Sequence, residues 1–120
     1  MKCVASPVHF IVAQALTANY TSPIINLLEV DSCAIQLNYA TGSSPVGAFS
    51  VQGSLDQVNW VPLYVTIGSS NVNSIAIPSN SSPILLDIDA TAIPYIRIVF
   101  AFISGSTTLD GFYTYKRIGD

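Results

Sequence analysis

The chain has 120 residues, half of them apolar, with four basic against seven acidic residues and a net charge of −3. That length fits one domain with one core, residues 1–120, and its mean hydropathy of +0.51 is high for a protein that exposes its surface to water. A bilayer span needs about 20 nearly uncharged residues, and the greasiest stretch, 84–103, contains Asp87, Asp89, Pro94 and Arg97, so a membrane helix is excluded. Nucleic acid is excluded as a partner because Lys116 and Arg117 form the only basic cluster.

In chain order, Lys2, the apolar run 8–16 and Ala13-Gln14-Ala15 imitate a secretory leader. Pro7 and His9 interrupt that pattern, so the segment reads as an uncleaved first strand. Turn-forming clusters then recur at short intervals, at 18–19, 41–45, 56–57, 68–71, 79–83 and 104–106. Between them lie runs rich in Val, Ile, Thr, Tyr and Phe, which read as strands over 8–16, 24–30, 33–40, 47–54, 60–66, 72–77, 84–89, 95–103 and 108–117. The pattern predicts an all-β protein, an antiparallel jelly-roll-like β-sandwich of about eight or nine strands. No window shows helical spacing and no internal repeat is present.

Alternation assigns faces to several strands. Cys33, Ile35, Leu37 and Tyr39 share one face of theirs, and Phe49 and Val51 oppose Ser50 and Gln52 in the next. The expected core anchors are Phe49, Val51, Trp60, Ile96 and Ile98. In 95–103 both faces are apolar beyond Arg97, which makes Phe100, Phe102 and Arg97 interface candidates, and Tyr113 and Tyr115, sharing one face of the last strand, join them because Tyr suits subunit interfaces. An unpaired guanidinium in so apolar a strand is costly, so Arg97 is expected to meet Asp110 or Asp89, or to reach a neighbouring subunit.

Chemistry is sparse. His9 is the single histidine and no Gly-x-Ser-x-Gly elbow presents a nucleophile, so the chain reads as no enzyme. Asp87 and Asp89 project to one face of a strand and are weak candidates for a calcium ion, but their alternation with Leu86 and Ile88 favours a solvent-facing edge; no metal and no cofactor is assigned. Cys3 and Cys33 permit one disulfide and read as thiols, their pairing left open. The six tyrosines and Trp60 suit subunit interfaces as well as a sugar-stacking platform.

Residues 47–63, Gly47-Ala48-Phe49-Ser50-Val51-Gln52-Gly53-Ser54-Leu55-Asp56-Gln57-Val58-Asn59-Trp60-Val61-Pro62-Leu63, resemble the strand, S-x-D-G-x-x-W, strand hairpin of discoidin-like, galactose-binding-like jelly rolls. Gln57 stands where that hairpin has glycine, and residues 92–98 and 107–116 are similar to its later strands. The order of 47–63, 94–98 and 105–116 also resembles small virion proteins of tailed bacteriophages. That resemblance implies a structural subunit of the virion, a capsid decoration or tail accessory protein assembled in the host cytoplasm. Its partners would be copies of itself and major capsid or tail proteins, with neither nucleic acid nor membrane. A carbohydrate-binding or receptor-binding module, using loops at one end of the sandwich, is the alternative.

Overall fold

A computed structural model describes residues 2–4, 6–28, 32–39, 46–67, 70–76, 83–88 and 93–118. Among them the chain is all β. The first strands are β1 (Lys2–Val4), β2 (Val8–Leu16), β3 (Tyr20–Thr21), β4 (Ile25–Asn26), β5 (Ser32–Tyr39) and β6 (Val46–Ser54). They are followed by β7 (Val61–Leu63), β8 (Val65–Ile67), β9 (Ser70–Val72), β10 (Ile75–Ala76), β11 (Ile84–Ile88), β12 (Tyr95–Ser104) and β13 (Thr107–Ile118). No described helix is long and apolar enough to cross a membrane.

The strands form two antiparallel sheets packed as a sandwich. One, of seven strands, runs β1-β13-β5-β11-β8-β9 with β2 also on β13; the other, of six, runs β10-β6-β12-β3 with β4 on β12 and β7 on β6. Each long strand thus pairs with one distant in sequence, β12 with β6 and β13 with β5. The chain repeatedly changes sheet. At Gly105, whose φ of 79° suits a residue without a Cβ, it leaves β12 in one sheet and enters β13 in the other.

The expected strand over 60–66 is two strands. β7 lies in the six-stranded sheet and β8 in the seven-stranded one, with exposed Tyr64 at the crossing. The run 70–76 crosses back in the same way, from β9 to β10. Short apolar runs carry no record of such a transfer, because both halves keep an inward face. The expected strand over 24–30 shrinks to Ile25–Asn26, with residues 29 and 30 outside the described ones. Between β3 and β4, Ser22 carries the pairing: its N–H donates to Ile98 O at 2.8 Å and its Oγ accepts from Ile98 N at 2.9 Å. This buried hydroxyl replaces a missing rung, so its burial leaves no polar group unsatisfied.

The core lies between the sheets. Cys33, Ile35 and Leu37 of β5, Leu86 and Ile88 of β11, Leu109 of β13 and Ile11 of β2 face Phe49 and Val51 of β6 and Ile96, Ile98 and Phe100 of β12. The Phe49 and Phe100 rings meet at 5.0 Å between centroids, tilted 46°, in the middle of this layer. Close approach is built in at Gly47, where a Cβ would fall 2.5 Å from both the Ala101 carbonyl oxygen and the Phe100 ring.

Candidate functional site

The sandwich has two outer faces, and their residues follow from strand parity. On the seven-stranded sheet, Gln36 and Asn38 of β5, Asp87 of β11 and Asp110, Phe112 and Thr114 of β13 point outward. On the six-stranded sheet, Ala48, Ser50 and Gln52 of β6 face out beside Arg97, Val99, Ala101 and Ile103 of β12. Among the described residues Arg97 is the one charged side chain on the strands of that second face.

At one end of the six-stranded sheet the chain turns between β6 and β7 around Asp56. Its Oδ1 accepts from Val58 N and Asn59 N, both at 2.9 Å, and Oδ2 accepts from Asn59 Nδ2 at 3.0 Å. Ser54 Oγ donates to Asp56 Oδ1 and accepts from the Asp56 and Gln57 N–H groups. These bonds favour the carboxylate and hold Asp56 far below the usual carboxylate range, the Asn59 and Val58 N–H groups first. Gln57 occupies the left-handed region at φ 62°, so the glutamine accepts the conformation that glycine would take freely. With its backbone satisfied locally, the turn holds Leu55 and Val58 out in solvent, 72% and 77% exposed. An open cleft of about 550 Å³ lies beside it, walled by Gly53, Leu55, Val61, Leu63 and Ile93, with Asn59 at its rim.

Trp60 leaves this turn on the outer face and is half-buried, not the core anchor its size predicts. Its ring lies under Arg97, with Cζ 4.2 Å from the ring centroid, and Arg97 Nε donates to Gln52 Oε1 at 2.9 Å. Among the described residues Arg97 does not meet Asp110, one of the two acids expected. Asp110 belongs to the opposite outer face, and Asp89 lies outside the described residues.

The other interface candidates turn inward. Phe100 is 1% exposed in the core; Phe102 and Tyr113 pack against it, Tyr113 edge-on to Phe10 at 5.2 Å. Tyr115, opposite Cys33, shares the inward face of β13. For Phe100 and Phe102 a strand apolar on both sides does not reveal which side is closed by the other sheet; for Tyr113 and Tyr115 residue type alone does not distinguish a core edge from an interface.

Across the molecule, His9 stacks on Phe112 at 4.2 Å and 12°, and its Nε2 lies 3.0 Å from Asp110 Oδ1. The same oxygen accepts from Ala13 N at 2.9 Å, in a β2 bulge where Ala13 takes φ 46°. The Ala13 N–H, then the His9 side chain, lower the Asp110 pKa. This group pins an irregular edge strand, a role that the lone histidine's sequence context does not disclose. Asp87 is exposed and opposite Ala34 and Thr66. Among the described residues no group of His, Cys, Asp or Glu is placed to hold a metal. Cys33 is a free, buried thiol, its pKa pushed up to about 12 by burial and then by the Asp87 charge. Of Cys3, the backbone alone is described, opposite Arg117.

No protein-family model matches the sequence, and a search of curated proteins finds no match. Solved structures do match in fold. The SPBc2 prophage-derived protein YomS superposes with a TM-score of 0.67 at 11% identity, covering 95% of both chains. The PBSX exported protein XepA superposes with a TM-score of 0.72 at 9% identity, over 96% of this chain and 38% of that one. The chain thus spans well under half of XepA, and it shares its fold with YomS and with part of XepA.

Proposed function

We propose that this chain is a structural subunit of a bacteriophage particle, an accessory or decoration protein that docks in many copies on a capsid or tail surface. The observation that carries the reading is the outer face of the six-stranded sheet. Ala48, Ser50, Val99 and Ala101 make it flat, Ile103 and Val46 stand 69% and 45% exposed at one end, and Arg97 is its one charge among the described strand residues. A sheet face of small and apolar side chains suits close contact with another protein surface. The fold shared with the prophage-derived YomS supports a phage setting. No catalytic step and no cofactor enters the proposal. Its partners are copies of itself and the coat or tail proteins beneath, and repeated weak contacts gain strength through multivalency.

The carbohydrate-binding alternative draws on the cleft beside the Asp56 turn. Its walls are apolar, and the Asp56 carboxylate is already engaged by Ser54, Val58 and Asn59, which leaves few groups to fix sugar hydroxyls. Mass spectrometry of particles banded from a phage or lysogen that encodes the chain tests the proposal. The chain should be present at a copy number matching a symmetric lattice or ring; particles lacking it would overturn the reading.

A further inference from the structure

Arg97 is held on two sides. Gln52, its cross-strand neighbour, accepts from Nε at 2.9 Å, and the Trp60 ring lies under the guanidinium at 4.2 Å. These contacts fix the orientation of the side chain but do not neutralise it. Among the described residues no carboxylate lies within salt-bridge reach of Arg97; the Asp110 carboxylate meets His9 on the opposite face. The other basic residues, Lys2, Lys116 and Arg117, sit on β1 and β13 of the other sheet. A half-buried guanidinium held at Nε, with no carboxylate beside it among the described residues, keeps its two Nη groups as a fork, the geometry that a carboxylate meets with two parallel hydrogen bonds.

We propose that Arg97, positioned by Gln52 and Trp60, receives a glutamate or aspartate side chain from the protein on which this subunit docks. The inference rests on the docking role proposed above and names the chemistry of its partner: an acidic residue set among apolar ones. The surroundings decide among anions. Val99 and Ala101 continue the face along β12 and Pro62 flanks Gln52 on β7, which suits an apolar protein strand. A sugar acid would need groups to hold its hydroxyls, and the guanidinium already covers one face of the indole on which a pyranose would stack. A phosphate favours several converging cations, and Arg97 stands alone here among the described residues.

Trp60 is the one tryptophan of the chain, so its fluorescence reports directly on the site. Poly-L-glutamate, titrated at low salt, should change Trp60 emission saturably. Arg97→Gln should abolish the change, and Arg97→Lys, which keeps the charge but loses the fork, should weaken binding about tenfold. Gln52→Ala, which leaves the cation intact, should weaken it several-fold, while a Lys116→Gln/Arg117→Gln double variant should bind as the wild type does. Matching thermal unfolding confirms that the variants fold. No saturable change with the wild type, binding that survives Arg97→Gln, or loss in the double variant would each overturn the proposal. So would polygalacturonate or inorganic phosphate binding at Arg97 where polyglutamate does not. Particle incorporation separates the two claims. If the wild type and Arg97→Gln enter particles equally, docking stands and the carboxylate site falls; if the wild type binds polyglutamate through Arg97 but never enters particles, the site stands without the docking role.

Discussion

The two outer faces of the sandwich differ in charge, although each exposes apolar side chains, Leu85 and Val12 on the seven-stranded sheet and Ile103 and Val46 on the six-stranded one. The seven-stranded sheet shows water Gln36, hydrogen-bonded to Asn38 at 3.0 Å, with Asp87, Thr114 and the His9–Asp110 pair. The six-stranded sheet shows Ala48, Ser50, Val99, Ala101 and Ile103 around a single guanidinium. Both cover the same core, so stability of the free chain does not account for the difference in charge between them. The contrast in charge, several polar groups on one face against a single guanidinium on the other, is what the proposed docking role draws on. It predicts that substitutions there separate folding from association.

The largest effect tests that separation along one strand. Phe100→Ala empties the contact with Phe49 at the centre of the core and should cost about 3–5 kcal/mol, read by urea unfolding. Ile103→Ala, three residues on and outward, should stay within about 0.5 kcal/mol in the free chain. If Ile103→Ala proved as costly as Phe100→Ala, the outer face would be packed within the chain itself and the contrast between faces would collapse.

A smaller effect compares the two sheets at their tightest points. A Cβ on Gly47 would lie 2.5 Å from the Ala101 carbonyl oxygen, a backbone atom within the β6–β12 ladder, and 2.5 Å from the Phe100 ring. On Gly111 it would lie 2.8 Å from Cδ1, 3.0 Å from Cγ1 and 3.1 Å from Cβ of Ile11, side-chain atoms rather than a ladder carbonyl. Gly47→Ala should therefore destabilise by about 1–3 kcal/mol and Gly111→Ala by less, measured by the same unfolding curves. Equal costs would mean that the ladder of the six-stranded sheet yields as easily as an isoleucine methyl.

Much of this architecture is legible in the residues. The alternation of Cys33, Ile35, Leu37 and Tyr39 marks the inward face of β5, and the Phe49 and Val51 parity marks that of β6, because a half-buried strand must repeat every second residue. Two kinds of information were not local. Phe100 and Phe102 share their strand with Val99 and Ala101, and only the partner sheet decides which side closes. Trp60 has the bulk of a core residue, but the Asp56 turn delivers it outward, where the cation of Arg97 is a better neighbour for its ring than solvent. The site was therefore visible as residue types, with its partners invisible. Gln52 lies 45 positions from Arg97, and no spacing rule joins them.

Acid distinguishes the faces most finely. Asp56, in the turn that ends β6, and Asp110, on the outer face of β13, both titrate below the ordinary carboxylate range, Asp56 by far the more. A carboxylate whose folded pKa is depressed contributes stability that is complete above its unfolded value, about 3.9, and is lost as pH falls through the folded one. Melting temperature should thus hold steady down to about pH 5 and fall below about pH 4, where the unfolded chain takes up protons that the folded one resists. Asp56→Asn should flatten that fall most, since its Ser54, Val58 and Asn59 partners favour the charged form. Asp110→Asn should flatten it less, and through the β2 bulge, because the Ala13 N–H leads in lowering that pKa. Melts of both variants between pH 2 and 5 rank the two; an acid response controlled by Asp110 would place the more strongly held carboxylate on the seven-stranded sheet, where the solvated face has the weaker hold.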